Sequence, residues 1–199
     1  MTSPRYYPVF LNLKGKKCVV VGGGRVAERK VLSLLESGAD ITVISPELTK
    51  RLRKESVKSL NRAKGSKGNL RHISREYKKG DIRNAFLAIA ATDSMETNKK
   101  VSADAPNLIN VVDAPSLCNF IAPSVVRRGP LTIAISTSGV SPSIAKAIRK
   151  ELEKLYGPKF GRRLDSIKKI RTKALSEIKD KKKRERFLKK LGAEAIKRI

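Results

Sequence analysis

A chain of 199 residues can bury a full core, either as one large domain or as one domain with appendages. No apolar run approaches the roughly 18 residues of a membrane span, the opening residues lack the apolar centre of a signal peptide, and two cysteines form no disulfide framework, so the sequence predicts a soluble, cytoplasmic chain with no membrane partner. A formal charge of +27, from 45 Lys and Arg against 18 Asp and Glu, calls for either a polyanionic partner or a widely solvated basic surface.

Tyr6 to Leu13 is apolar but short and is expected to pack on a sheet edge, with Gly15 and Lys16 turning the chain into the first strand. Cys18 to Val21 is an apolar, β-branched run, the pattern of a central parallel strand covered on both faces. It leads into Gly22-Gly23-Gly24-Arg25-Val26-Ala27, a G-x-G-x-x-A form of the dinucleotide fingerprint. Gly22 is expected to allow the tight turn, Gly24 to let backbone approach a pyrophosphate, and Ala27 to let the next helix lie close on the strand. That helix continues its apolar face through Val31, Leu34 and Leu35 and stops at Gly38. Its start offers free N–H groups and a partial positive charge, so Gly22, Gly23, Gly24, Arg25 and Val26 are candidate cofactor-binding residues. A glycine-rich turn without a ligand is the competing reading.

Ile41 to Ile44 is the second strand, and in a dinucleotide-binding unit an acid for the ribose is expected near its end. Asp40 has nearly the right count but stands at the strand's start, so Pro46 and Glu47, beside Ser45, are the candidates. Glu47 as an ordinary first-turn acid of a helix over 47–60 is equally open, and these residues do not separate NAD from NADP. Gly65 to Asn69 reads as a polar loop tolerant of insertion, ahead of a short strand from Leu70 to Ser74. His72, the only histidine, has no carboxylate or cysteine cluster beside it and reads as structural; no metal ligand is assigned. Phe86 to Ala91 and Leu108 to Val112 are further strands, with a helix over Asn98 to Ala103 between them. This alternation predicts a doubly wound parallel sheet whose carboxyl ends bring Gly22, Pro46, Thr92 and Asp113 around one crevice. Thr92 therefore joins the cofactor candidates. Asp113 alone reads either as a group of that crevice or as a turn former before Ala114-Pro115.

Phe120 to Val126 and Leu131 to Thr137 are strands joined by Arg127-Arg128-Gly129-Pro130, a hairpin in which Pro123 restricts the first strand. An apolar hairpin needs cover, and a second copy of the chain would provide it, so a homodimer is expected. Ser136 to Ser143 combines hydroxyls with a helix start, Ser141 at the N-cap and Pro142 at N1. Plain capping and a second anion site both remain open there. The helix carries Ile144, Ile148, Leu152 and Leu155 on one face and ends at Gly157-Pro158. Beyond Lys159, stripes of Leu164, Ile167, Ile170, Ala174 and Ile178, then Phe187, Leu188, Leu191, Ala195 and Ile196, predict a small helical domain. Basic residues gather over Lys50 to Arg83 and Lys159 to Arg198 without the interleaved aromatics of a single-strand binder, which disfavours nucleic acid as partner. The chain thus reads as α/β: a Rossmann-like dinucleotide-binding domain over 1–113, a β-hairpin and helix region suited to dimerisation over 114–157, and a helical domain over 158–199.

The segments Pro8-Val9-Phe10-Leu11-Asn12-Leu13, VVVGGGRVAERK, FLAIAATD, INVVDAPSLCNFIAPS and RGPLTIAISTSGVSPSIAK together resemble one family, in family order over most of residues 8–150. It is the precorrin-2 dehydrogenase family, related to the dehydrogenase and ferrochelatase half of siroheme synthase. The resemblance implies that NAD takes a hydride from precorrin-2 to give sirohydrochlorin, and it matches Asp113 to the family's catalytic aspartate. It also gives the positive charge a use, because the substrate is a tetrapyrrole polycarboxylate: Arg127, Arg128, Ser136, Thr137, Ser138 and Ser141 become candidate substrate-binding residues. Arg127 departs from the family, standing where many relatives carry an acid. Two alternatives stay open, a bifunctional enzyme that also inserts ferrous iron into sirohydrochlorin, and a nucleotide-sensing, nucleic-acid-binding protein on the same fold.

Overall fold

The computed structural model describes residues 6–60 and 68–197. Most of the loop expected over Gly65 to Asn69 lies outside the described residues. The chain divides into two compact units, Tyr7–Ala122 and the residues from Pro123 onward.

The first unit is built on five parallel strands, β1 (Lys17–Val21), β2 (Asp40–Ile44), β3 (Leu70–Ile73), β4 (Leu87–Ala90) and β5 (Leu108–Val111), in the order β3-β2-β1-β4-β5. Helices α1 (Arg25–Glu36), α2 (Lys50–Leu60) and α3 (Met95–Asp104) connect them. Alternate residues of β1 enter two different cores. Cys18 and Val20 pack with Ala27, Val31 and Leu35 of α1 and Leu52 of α2, while Val19 and Val21 pack with Ile82, Ala85 and Val101. Burial on both faces explains why the strand is apolar without alternation. Burial also pushes the Cys18 thiol up to about 11, so it stays protonated and unreactive at neutral pH.

The crossover from β3 to β4 contains no helix among its described residues and is held instead by side chains. The Arg75 guanidinium donates to both Asp81 oxygens at 2.7 and 2.8 Å, and the Lys78 N–H donates to the same carboxylate at 2.8 Å. These donors hold the Asp81 carboxyl below its usual range. The Tyr77 hydroxyl reaches across to Asp104 at 2.7 Å.

In the second unit, β6 (Ser124–Arg128) and β7 (Leu131–Ile135) form an antiparallel hairpin, followed by α4 (Pro142–Leu155), α5 (Pro158–Glu177) and α6 (Lys181–Lys197). The Arg128 guanidinium caps the end of α4, donating to the carbonyls of Tyr156 at 2.8 Å and Glu153 at 3.3 Å. Asp180 caps α6 through the Lys183 N–H, and Arg163 of α5 donates to the Ala195 carbonyl of α6. No described helix is long and apolar enough to cross a membrane.

One expected packing and two expected boundaries are corrected. The opening segment does not pack on a sheet edge: the Lys14-Gly15 turn joins it to the amino end of β1, at the centre of the sheet, and of its apolar side chains only Leu13 is buried, while Tyr7, Val9, Phe10 and Leu11 are exposed. Helix α2 starts at Lys50 and not at Glu47, because Thr49 takes the capping position and its hydroxyl accepts from the Leu52 N–H at 3.2 Å. The hairpin is tighter than expected. β6 begins only after Pro123, and Arg127 and Arg128 pair with Thr132 and Leu131 inside the ladder, leaving Gly129-Pro130 as a two-residue turn with Gly129 at φ 55°.

Candidate cofactor and catalytic site

Strand register puts the site together. Val21 lies opposite Ile44 on one side and Ala90 on the other, and Ala90 lies opposite Val111. The chain therefore leaves β1, β2, β4 and β5 level with one another, and the residues that follow share one edge of the sheet. There they line a crevice of about 860 Å³ that includes Gly22, Gly23, Gly24, Arg25, Val26, Pro46, Glu47, Thr92 and Asp113. A second hollow, about 930 Å³ and lined by Lys17, Asp40 and Leu70, lies at the amino ends of the strands, away from these groups.

Each glycine of the turn does something different. Gly22 adopts φ 116°, and its N–H donates to the Ile44 carbonyl at 2.9 Å, so it ends the strand in a conformation only glycine takes easily. Gly23 is buried against the loop after β2, where an added Cβ would fall 1.9 Å from the Glu47 carbonyl oxygen. A Cβ at Gly24 would meet nothing within 4 Å. Gly24 is the N-cap of α1, and no side chain caps that end. The first-turn N–H groups of α1 thus face the crevice without a side-chain acceptor, as an anion-binding helix start requires. Glu28, one turn into α1, accepts from the Thr49 hydroxyl and so ties this start to the loop after β2.

The other walls come from strand ends. Glu47 is exposed in the loop before α2, so it is not a first-turn helix acid. Asp40, at the start of β2, accepts from the Asn69 side chain at the far edge. Thr92 lines the crevice, but its hydroxyl is held by Asn98 Oδ1 at 2.8 Å. Asp113 follows β5 in a left-handed conformation, φ 58°, with its side chain exposed. Both readings of this residue meet here, since it forms a turn and also lines the crevice. A left-handed non-glycine residue stores backbone strain, a feature that concentrates at functional sites.

Four further residues, Glu76, Tyr77, Thr97 and Lys100, line the same crevice. Glu76 and Tyr77 follow the carboxyl end of β3, so the rule that pointed to Gly22, Pro46, Thr92 and Asp113 would have found them if applied to this strand as well. His72 makes a structural contact, its Nε2 lying 2.9 Å from the Ser45 carbonyl oxygen. Cys118 is a packing residue of the β5 end, its sulfur accepting from the Val111 N–H at 3.1 Å.

The expected substrate residues lie in the second unit. Arg127 is exposed on β6, whereas Arg128 is turned to the end of α4. The Ser136 hydroxyl accepts from the Ser138 N–H at 3.0 Å, Ser138 takes φ 51°, and Thr137 both accepts from the Ser141 N–H and donates to the Ser141 carbonyl at 3.1 Å. Ser141 caps α4, accepting from the Ile144 N–H at 3.3 Å.

Residues 9–124, more than half of the chain, match the family described as "Putative NAD(P)-binding". The chain belongs to this NAD(P)-binding family. Residues 128–155 match a second family, described as "Sirohaem biosynthesis protein central". Among curated relatives, the siroheme synthase of Methylobacillus flagellatus is 44% identical over 158 residues, covering 78% of this chain and 32% of that protein. The siroheme synthase of Thioalkalivibrio sulfidiphilus is 36% identical over 189 residues, 94% of this chain and 37% of that protein. The chain therefore spans about a third of the length of these relatives. A solved structure titled "SirC, precorrin-2 dehydrogenase" superposes with a TM-score of 0.81 at 28% identity, covering 94% of this chain and 89% of that one. The expected Rossmann-like fold and the resemblance to the dehydrogenase half of siroheme synthase are both borne out by these matches.

Proposed function

We propose that the chain is an NAD-dependent dehydrogenase that oxidises precorrin-2 to sirohydrochlorin. One observation carries this reading: the open start of α1 and the carboxylate of Asp113 line the same crevice. The residues present fit a dinucleotide, because Gly24 leaves room for a pyrophosphate and the first-turn N–H groups of α1, with Arg25 beside them, supply donors and positive charge. Bound there, NAD+ supplies a hydride acceptor. Asp113 accepts the proton that the macrocycle loses when its hydride leaves, so the two-electron oxidation balances. Pro46 and Glu47 hold the ribose end, and the carboxylates of Glu47 and Glu76 on that wall disfavour the added charge of a 2′-phosphate, which supports NAD over NADP.

The second unit carries the candidate substrate-binding groups and a face suited to a two-fold partner. Arg127, Ser136, Ser138 and Ser141 offer donors suited to a polycarboxylate, while Thr137 orders the start of α4 through its bonds to Ser141 and Arg128 orders the hairpin through its bonds to α4. The functional division proposed is a cofactor domain over 1–113, a substrate and dimer region over 114–157 and a helical domain over 158–199, the compact units themselves parting between Ala122 and Pro123. A homodimer would cover the face of α4 on which Ile144, Ile148 and Leu155 are 54%, 41% and 53% exposed. Sedimentation equilibrium at micromolar protein tests this, and a purely monomeric mass would remove the dimer.

Given precorrin-2 and NAD+, the purified protein is expected to form NADH and sirohydrochlorin. Asp113→Ala is expected to lower kcat by ~100-fold or more while leaving NAD+ binding intact. An unchanged rate in that variant would take Asp113 out of the mechanism. No turnover by the parent protein, combined with steeply salt-dependent binding to duplex DNA, would favour the nucleotide-sensing alternative.

A further inference from the structure

Asn98 is a strongly buried side-chain amide behind the crevice wall, 3% exposed in the first turn of α3. Its hydrogen bonds all return to a single residue of the crevice wall. Oδ1 accepts from the Thr92 N–H at 3.3 Å and from the Thr92 hydroxyl at 2.8 Å, and Nδ2 donates to the Thr92 carbonyl at 3.0 Å. The amide thus pairs with the N–H and C=O of Thr92 as a neighbouring peptide would, just where β4 ends and its ladder bonds stop. Two more bonds close the network: the Ser94 N–H donates to the Thr92 hydroxyl at 3.2 Å, and Ser94 caps α3 by accepting from the Thr97 N–H.

This wall presses directly on the glycine turn. A Cβ at Gly22 would fall 2.3 Å from the Ala91 carbonyl oxygen and 3.2 Å from the Thr92 nitrogen, so there is no slack between the two loops. A shift of Thr92 toward β1 is blocked, and a shift away opens the turn that shapes the start of α1. Asn98 itself is absent from the lining of the crevice, whereas Thr92 and Thr97 on either side of it are present.

We infer that Asn98 is a positioning residue for the dinucleotide: it acts through Thr92 to hold the wall that fixes the glycine turn, and it sets cofactor affinity without touching the cofactor. This rests on the crevice being the cofactor site. A general structural role would make the same residue matter for folding and not for affinity, so the experiment has to separate the two.

NAD+ binding is measured by calorimetry on the full chain, with thermal melting of each protein in parallel. Binding by the parent protein comes first, because its absence would sink the cofactor reading itself. Asn98→Ala is expected to weaken NAD+ binding by ~10-fold in protein that is still folded at the assay temperature, with kcat at saturating NAD+ changed by less than ~3-fold. Asn98→Asp keeps the size and the acceptor but loses the donor to the Thr92 carbonyl, and is expected to give a smaller loss in the same direction. It also serves if the alanine variant does not fold. Folded variants that bind NAD+ as the parent does would overturn the role of Asn98 while leaving the crevice standing, as would a lowered kcat with unchanged affinity.

Discussion

Two helices of this chain begin on small residues at the end of a strand, and they begin differently. The start of α4 is closed by its own sequence: Ser141 accepts from the Ile144 N–H, and Thr137 brackets Ser141 through its N–H and carbonyl. The start of α1 has no such cap, because its N-cap is Gly24, and its first turn faces a crevice. Helix N-termini carry the same unpaired donors wherever they occur. What separates a binding site from an ordinary helix start is whether the chain satisfies those donors itself.

Substitutions in the two starts sharpen this contrast. The largest effect is expected inside the glycine turn. Gly23→Ala would drive a Cβ into the Glu47 carbonyl and should destabilise the first unit by about 3 kcal/mol, read as a lowered melting temperature with or without cofactor. Gly24→Val should cost only about 1 kcal/mol of stability as a poorer N-cap, since nothing lies within 4 Å of the new Cβ, yet weaken NAD+ binding by ~30-fold by filling the space left for the pyrophosphate. If Gly24→Val binds NAD+ normally, the open start of α1 is not where the phosphates sit. The smallest effect belongs to α4. Ser141→Ala should cost about 1 kcal/mol of stability as a lost cap and leave NAD+ affinity alone. A rise in KM for precorrin-2 is expected beside it if Ser141 serves the substrate as proposed, and an unchanged KM would leave Ser141 a cap alone.

The first unit was legible in the sequence because its signals are local. An apolar β-branched run without alternation means a strand covered on both sides, and Cys18 to Val21 is that strand. Gly22 reads as a turn from the fingerprint that follows the strand, and its φ of 116° is the physical reason that a glycine stands there. Boundaries set by competition between neighbours were harder. Thr49 captured the cap of α2 ahead of Glu47, and Arg127 and Arg128, polar enough to suggest a turn, sit inside a ladder that closes with only Gly129-Pro130. The opening apolar segment misled for another reason: apolarity signals burial, but a segment delivered to the amino end of a central strand has no sheet edge to meet.

The sequence by itself determined the order of strands and helices, the glycine turn, and the placement of Asp113 and Thr92 at strand ends, because periodicity and backbone preference act over a few residues. Only the tertiary structure decided which groups are already engaged. Arg128 is turned to the end of α4, Thr92 is held by Asn98, and Gly23 is pressed on Glu47, whereas Gly24 and the first turn of α1 are left open. Those outcomes depend on which donors and acceptors meet across distant parts of the chain, and a free donor at the start of α1 differs from a capped one at α4 only once every neighbour is in place.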